Sequence, residues 1–440
     1  MISKFLDKTF YLDKEKEING ELLLEFINKH KSLCVRYQKL HDMYIGLHDI
    51  LYQDSKPEFK PDNRLVFNYA KYIVDTFNGF FIGIPVKVTH TKDSVSDNIN
   101  LFRAYNSIDD VNAEISKMCS IYGHAFELLF LDNNAMVNST AVDPRQCFVI
   151  RDDSITEDVI IGVRYQIKDE KISGSISDEN YIRYFETNDD GELIFTEEEA
   201  NQFHVVPIVE YIENEERQGA FENVESLINA YNKAMSEKAN DVDYFADAYL
   251  KILGARLKDE DLRMIKSNRI INLAGATTDK LIVEFMNKPN ADETQENLIN
   301  RLEKQIFALS MVANINDENF GTSSGIALKY KLLSMSNLAI TKERKFQKSL
   351  YTRYRIMSNV ANSKIKQDDL KDIEFKFTRN VPSNILEESQ IGLNLKNLVS
   401  EETMLNNLSI IPDVKAELEK MKEESQPVIT YDDMRSEDEQ

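Results

Sequence analysis

The sequence predicts a multidomain α+β protein, and three observations support this fold class. A length of 440 residues is more than one ordinary core accommodates. Alternating apolar and polar residues predict seven short strands between residues 127 and 211. Apolar residues that recur three, four and seven positions apart predict long helices beginning near Phe221, Asp292 and Ile326. The chain is therefore expected to join a sheet-bearing body to long helices.

Composition argues against several classes of protein. The 75 acidic residues outnumber the 53 basic residues, and the net charge of −22 predicts repulsion of nucleic acid at long range. Three widely spaced cysteines, Cys34, Cys119 and Cys147, argue against a disulfide framework and fit a reducing compartment. No stretch approaches the roughly 18 apolar residues of a membrane-spanning helix, so no membrane partner is expected.

The first part of the chain is predicted to be mainly helical. A surface helix is expected over Gly20–Tyr52, within an N-terminal helical arm of residues 1–60. A second helix, Asn63–Phe80, carries an aromatic stripe that burial explains best. A strand at Val86–Thr89 and a helix near Asp110–Tyr122 follow.

Seven strands then form a body that is expected to be mostly antiparallel. Asp132–Asn134 and Asp189–Gly191 have the composition of hairpin turns, which favours pairing between consecutive strands. The predicted strands are Glu127–Leu131, Val137–Val142, Cys147–Ile150, Val159–Ile167, Tyr181–Glu186, Leu193–Thr196 and Val205–Tyr211.

Two long helices flank a compact insertion after these strands. The first is predicted from Phe221 to about Leu253, and its exposed side is expected to be acidic because six acids oppose two lysines over residues 222–247. The second runs from Asp292 to about Val312. The insertion is expected to be a small α/β unit, with a short helix at Asp259–Lys266 and strands at Arg269–Leu273 and Leu281–Met286.

A third long helix is strongly basic. One continuous helix is predicted from Ile326 to Met357, after a polar loop at residues 313–324. Between Ile326 and Lys366, ten lysines and arginines oppose one acid, Glu343, which gives +9 in a chain of −22. These bases could neutralise acidic neighbours, within or between subunits, or contact phosphates, and the first role is favoured. A strand at Ile373–Thr378 and several short helices follow.

Signatures of catalysis and metal binding are weak. The common nucleotide-binding, zinc-protease and hydrolase motifs are absent. His30 and Cys34 are spaced to share an ion, but two ligands do not make a zinc site. The loop that begins at Asn314 is rich in oxygen ligands but lacks the glycine and glutamate of a calcium loop. Glu58 and Lys60 have the spacing of a nuclease element without a convincing upstream acid. We therefore expect no catalytic residue, no metal and no cofactor.

Four stretches in chain order resemble the portal proteins of tailed bacteriophages, in the branch of long non-contractile-tailed phages of Gram-positive hosts. They are NRLVFNYAKYIVDTFNGFFIGIPVKV (Asn63–Val88), PIVEYIENEERQGAFENVESLINAYNKAMSEKANDVDYFADAYLKILG (Pro207–Gly254), FGTSSGIALKYKLLSMSNLAITKERKF (Phe320–Phe346), and IEFKFTRNVPSN with the later SEETMLNNLSIIPDVKAELEKM.

The resemblance implies a portal fold with long stem and tunnel helices, an α/β wing, a small α/β clip and a helical crown. Its divisions would be an N-terminal helical arm (1–60), wing (61–220), stem helix 1 (221–247), clip (248–289), stem helix 2 (290–312), tunnel loop (313–324), tunnel helix and return to the wing (325–380), crown (381–425) and acidic disordered tail (426–440).

It also implies a non-enzymatic role. The chain would form a ring, expected to be a dodecamer, at one capsid vertex of the virion after assembly in the host cytoplasm. Double-stranded DNA would pass through the ring without sequence specificity. The other implied partners are the terminase large subunit, the major capsid and scaffolding proteins, a head-completion adaptor and tail proteins.

Candidate sites follow from this plan. The tunnel-loop residues facing DNA would be Asn314, Asn316, Asp317, Glu318 and Asn319. Subunit-interface candidates are Lys329, Lys331, Arg344 and Lys345, and partner-binding candidates in the clip are Lys258, Arg263 and Lys266. Two alternatives stay open: a non-portal virion or scaffold-associated structural protein, and a metal-dependent phage nuclease.

Overall fold

The computed structural model describes residues 8–57, 60–246, 250–253, 282–285, 292–315, 325–361, 363–381, 385–406, 408, 410–411 and 414–425. The chain divides into two compact units. The first takes the described parts of Met1–Asn314 and Leu332–Arg379, and the second takes those of Ile315–Lys331 and Asn380–Gln440.

The described elements alternate between helices and strands as an α+β protein requires. In chain order they are β1 (Phe10–Leu12), α1 (Gly20–Ile45), α2 (Tyr69–Ile82), β2 (Lys87–Thr89), α3 (Asp93–Tyr105), α4 (Ile108–Tyr122), β3 (His124–Leu131), β4 (Val137–Val142), β5 (Cys147–Asp152), β6 (Val159–Lys168), β7 (Lys171–Ser177), β8 (Tyr181–Thr187), β9 (Leu193–Ala200), β10 (Ile208–Ile212), α5 (Glu225–Ala246), β11 (Leu250–Leu253), β12 (Ile282–Phe285), α6 (Asp292–Ser310), α7 (Gly325–Lys331), α8 (Leu333–Ser358), β13 (Glu374–Lys376), α9 (Ile385–Leu395), α10 (Glu401–Leu405) and α11 (Val414–Ser425).

The strands of the first unit form mostly antiparallel sheets, as predicted. One sheet has six strands in the order β1-β5-β6-β7-β8-β9, and another has three in the order β10-β3-β4. Within the described residues, the pairing of β1 with β5 is the one parallel contact. The two predicted hairpin turns do join consecutive paired strands, β3 to β4 and β8 to β9.

The N-terminal arm is packed more deeply than the sequence indicates. The helix predicted to lie on the surface is α1, and one of its faces is buried, including Leu23, Ile27 and Tyr37. It also ends earlier than predicted, because Gly46 adopts φ 93° and terminates it, and a separate 3₁₀ turn covers residues 49–52. We therefore correct the prediction of one surface helix that reaches Tyr52.

The segment before α2 is extended, which corrects the predicted helix start at Asn63. Its backbone N–H groups at residues 63, 65 and 67 donate to the side chains of Asn240, Ser236 and Asn232 at 2.6, 2.9 and 2.8 Å. Two residues of extended chain advance about 6.6 Å and four residues of helix about 6 Å, so the two repeats match. This polar ladder fastens the extended segment to α5.

α5 and α6 form an antiparallel pair. Asn223 Nδ2 donates to the carbonyl of Leu309 at 2.8 Å, and at the other end Gln295 Nε2 donates to Asp241 Oδ2 at 3.0 Å. α5 ends at Ala246 rather than near Leu253, because residues 250–253 pair antiparallel with β12. The predicted helix at Asp259–Lys266 and strand at Arg269–Leu273 lie outside the described residues.

The second unit contains α7, α9, α10 and α11. Ser400 caps α10, since its side chain accepts a hydrogen bond from Thr403 N. Leu405 and Val414 are buried within this unit. The predicted disordered tail, residues 426–440, lies outside the described residues.

Candidate functional site: the charged faces of α8

α8 is the central part of the predicted basic helix. The predicted continuous helix is two elements, α7 and α8, interrupted at Leu332. The apolar face of α8 is covered in its second half, where Phe346 contacts the rings of Tyr211 and Phe81, and Tyr354 contacts Phe102. Leu333 and Ile340, nearer its start, are 52% and 45% exposed. Its basic residues divide between this buried face and the solvent.

Arg353 lies on the buried face and pairs with Glu127 of β3. The two side chains are 1% and 0% exposed, and Arg353 Nε lies 2.7 and 2.9 Å from the two carboxylate oxygens. Arg353 Nη2 donates to Asn112 Oδ1 at 2.7 Å, and the hydroxyl of Tyr211 donates to Glu127 at 2.7 Å. Ser139 also donates to Glu127.

The electrostatics around Arg353 favour the charged guanidinium. Burial by itself lowers the pKa of Arg353, but Glu127 together with Tyr211 and Tyr354 outweighs it, so the pKa is raised above its ordinary value. A buried carboxylate with three donors and a fixed countercharge satisfies the usual requirements for burying an ion pair.

Lys342 is the second buried base of α8. Its Nζ lies 2.8 Å from Glu213 Oε2 and donates to the carbonyl of Ser116 at 2.9 Å and to Ser120 Oγ at 2.8 Å. The ammonium also stands over the ring of Phe81 at 5.1 Å, a cation–π contact. Burial raises the pKa of Glu213 even though Lys342 opposes that shift.

Glu210 of β10 connects α8 to further charges. Its carboxylate accepts from Arg217 Nε at 2.7 Å, from Arg151 Nη2 at 2.7 Å and interacts with His124 Nδ1 at 2.8 Å. Burial raises the pKa of Glu210, but Arg217 and His124 outweigh burial and hold it well below its usual range. Ser349 of α8 donates to the Glu210 carbonyl at 2.7 Å.

A cleft of about 580 Å³ lies between α8, β10 and the β5–β6 turn. Basic and acidic side chains both line it, and its bases are Arg151, Arg217, Lys345, Lys348 and Arg355. No group of three or more possible metal ligands occurs among the described residues. The lining of the cleft is therefore of mixed charge.

Comparisons with known proteins identify the family. The family model described as "Phage portal protein, SPP1 Gp6-like" matches residues 23–430. The chain belongs to this family of phage portal proteins. The portal protein of Clostridium phage phiCD119 is 24% identical over 398 residues, which cover 84% of this chain and 86% of that protein. The portal protein of Bacillus phage SPP1 is 22% identical over 409 residues, covering 86% and 79%.

A structural comparison adds little to this. A chain from the structure titled "Neck of empty GTA particle computed with C6 symmetry" aligns with a TM-score of 0.43 at 11% identity, covering 76% of this chain and 88% of that chain. A likeness of this extent supports no inference, and the family match stands without it.

Family membership confirms the predicted resemblance and the predicted function as a phage portal protein. The mixed helix and sheet architecture is consistent with the portal fold. Portal proteins are structural components of the virion, and the family indicates a ring oligomer that associates with capsid or tail. No helix among the described residues is long and apolar enough to cross a membrane.

The predicted interface residues differ in their surroundings. Lys329 and Lys331 lie exposed on α7, in the second unit. Arg344 is exposed on α8, whereas Lys345 pairs with Glu215 of the same chain. Whether any of them meets a neighbouring subunit stays a prediction.

Most other predicted site residues lie outside the described part of the chain. Asn314 is described and half-buried, just after α6. The remaining tunnel-loop candidates, Asn316, Asp317, Glu318 and Asn319, are not among the described residues, and neither are the clip candidates Lys258, Arg263 and Lys266. These assignments stay predictions.

The acidic face predicted for the first long helix is partly neutralised by ion pairs. Glu222 accepts from Arg36 Nε at 2.7 Å, and Glu237 pairs with Lys56 at 2.7 Å. Glu225 pairs with Lys39. All three bases come from the first 60 residues, so the N-terminal arm neutralises much of this face. Sequence reasoning missed these pairs because their members lie about 180 residues apart.

The weak metal and nuclease hypotheses gain no support from the described residues. His30 is buried, and its two ring nitrogens contact Tyr165 Oη at 2.8 Å and the carbonyl of Pro144 at 2.9 Å. A histidine with both nitrogens engaged is a core residue rather than a ligand. Glu58 lies outside the described residues.

Proposed function

We propose that this chain forms a ring of about twelve copies whose axial channel carries double-stranded DNA into the capsid during packaging and out of it during ejection. The packaging motor would be a separate ATP-driven terminase, and the chain itself would have no catalytic activity. A head-completion adaptor and then the tail would attach to the ring after packaging.

The observation that carries this proposal is the antiparallel pair of α5 and α6. The two helices run in opposite directions within the first unit, and the β11–β12 pair lies between them in the chain. At about 1.5 Å per residue they are roughly 33 and 29 Å long. Such a hairpin, repeated around an axis, would line a channel, and its connecting segment would form a rim available to terminase and adaptor.

Charge supports a conduit that does not grip its DNA. Each lysine or arginine held against a phosphate adds affinity through counterion release, which would slow sliding. The chain carries −22 overall, and the predicted tunnel loop carries Asp317 and Glu318 beside three asparagines. We propose that repulsion keeps the duplex centred while the asparagines make weak, neutral contacts.

Electron microscopy of the purified protein tests the ring directly. Open rings of about twelve copies are expected, and monomers or filaments under all conditions would overturn the proposal. A second measurement addresses the channel: Asp317→Lys with Glu318→Lys should leave the rings intact and reduce DNA packaging in infected cells. Packaging at the normal level would contradict the proposed role of the loop.

A further inference from the structure

The exposed face of α8 carries a stripe that nothing in the described chain covers. Arg344, Lys348 and Arg355 are exposed and have no ion pair or side-chain hydrogen bond among the described residues. Ile340 and Tyr351 lie beside them and are 45% and 40% exposed. At 100° per residue these five positions fall within an arc of about 80°, so they form one continuous surface.

The other bases of the same helix are already neutralised. Lys342, Lys345 and Arg353 each face a carboxylate of their own chain. The stripe therefore differs from the rest of α8 in having cations that form no ion pair among the described residues, beside exposed apolar groups. A surface of this composition fits a partner that offers acids beside apolar side chains.

β9 offers the complementary surface. Glu197 and Glu198 are exposed and have no partner among the described residues, and Ile194 and Phe195 are 42% and 36% exposed on the same strand. β9 is an edge strand of the six-stranded sheet, where it pairs with β8 alone. It thus combines acids with apolar groups at a sheet edge that α1 approaches at Leu193, and the consecutive Glu197 and Glu198 lie on opposite faces of the strand.

The two surfaces lie on different elements of the same unit. The β5–β6 turn lines the cleft beside the α8 stripe, whereas β9 lies four strands away from β5, about 19 Å at ordinary strand spacing. Among the described residues, no hydrogen bond or ion pair joins the stripe to β9 within one copy. A head-to-tail ring requires two different patches on each subunit, which these two surfaces supply.

We propose that the α8 stripe of one copy docks on the β9 edge of the next copy in the ring. Arg344, Lys348 and Arg355 face Glu197 and Glu198 of the neighbour, and the exposed apolar groups of both surfaces pack together. This inference rests on the proposed ring and names two surfaces that meet within it. It replaces Lys345 of the earlier interface candidates, which is engaged by Glu215.

Two charge-reversed variants and their combination test the contact. The first carries Arg344→Glu and Lys348→Glu, and the second carries Glu197→Lys and Glu198→Lys. Each alone places like charges opposite each other, so the protein concentration needed for half-maximal ring assembly should rise about tenfold or more. A chain with all four changes keeps the net charge of −22 and should assemble as the unchanged protein does.

Mixing the two variants gives a sharper result. In an alternating ring the acidic stripe of the first variant faces the basic β9 of the second, and the unchanged basic stripe of the second faces the unchanged acidic β9 of the first. An equimolar mixture should therefore form rings in which the two variants alternate. The matched control is Lys14→Glu with Lys16→Glu, which changes the net charge equally at exposed residues that belong to neither α8 nor β9 and should assemble normally. Circular dichroism of each variant shows that it is folded.

The outcomes separate this inference from the proposed function. Absence of rings in the unchanged protein would refute the ring itself. Normal rings from either folded variant, or failure of both the combined chain and the mixture to restore assembly, would overturn the docking of α8 on β9. Normal rings with altered DNA retention in the first variant would assign the stripe to DNA instead, which also overturns it.

Discussion

Replacing Arg353 with methionine tests whether the buried ion pair holds α8 on the sheet. Met keeps an apolar stem of similar length but leaves the Glu127 carboxylate buried with only the Ser139 and Tyr211 hydroxyls as donors. Removing one member of a buried pair typically costs about 3–5 kcal/mol. With a urea m-value of about 3 kcal/mol/M, the unfolding midpoint should fall by roughly 1–2 M.

The assay is urea unfolding followed by far-ultraviolet circular dichroism, at protein concentrations below ring assembly. Arg355→Met is the matched control, because it removes an exposed arginine from the same helix, and its free energy of unfolding should change by less than about 0.5 kcal/mol. Adding Glu127→Gln to Arg353→Met should recover part of the loss, since the stranded charge is gone. Equal midpoints for the Arg353 and Arg355 variants would refute the reasoning.

Three further predictions concern buried charge and backbone. Lys342→Met should destabilise the protein by about 3 kcal/mol at pH 7. Burial raises the folded pKa of Glu213 above its unfolded value, so this loss of stability should shrink as the pH falls and the carboxyl is protonated. A loss that does not change with pH in urea titrations would contradict this. Burial lowers the pKa of His30 to about 3, so the free energy of unfolding should fall by about 1.4 kcal/mol per pH unit as the pH drops below 6.5. His30→Gln should reduce this dependence of stability on pH. An unchanged dependence would show that other groups cause it. Gly123 has φ 92°, and a Cβ there would lie 2.0 Å from the Arg217 carbonyl oxygen. Gly123→Ala should therefore lower the thermal midpoint far more than Gly191→Ala, because φ at Gly191 is 83° but the space around it is open. Similar shifts for the two variants would argue against the close approach at Gly123.

Periodicity revealed most of the fold because alternation and helical spacing are local properties. The seven predicted strands are all present, with ends that differ by a few residues. β7 was missed because Gly174 and its serines weaken the pattern; a Cβ at Gly174 would lie 2.1 Å from the Arg164 carbonyl, so the glycine reflects a close approach of two strands. α3 was missed although Val95, Ile99 and Phe102 have helical spacing, a signal that could have been used.

The charge pairs could not be predicted in the same way, because their members are far apart in sequence. Arg353 and Glu127 are separated by 226 residues, and Arg36 and Glu222 by 186. Counting charges did favour neutralisation of acidic neighbours over phosphate contact for the basic helix, and the structure places three of its bases against carboxylates. Counting charges could not show which bases are buried, because Lys342 and Arg344 look alike in sequence but lie on opposite sides of α8.

These pairs also determine which motions of the proposed ring are accessible. Sliding α8 by one turn, or rotating it by one residue, would separate Arg353 from Glu127 and Lys342 from Glu213 together. At about 3–5 kcal/mol for each stranded charge, the cost approaches the total stability of an ordinary domain. Exposed ion pairs contribute only about 0.2–1 kcal/mol each. α8 and the sheets therefore move as one body. The single helix predicted to follow the tunnel loop is interrupted at Leu332. Changes of channel width in the ring are expected to arise from subunits turning at their mutual interfaces, or from residues before Leu333.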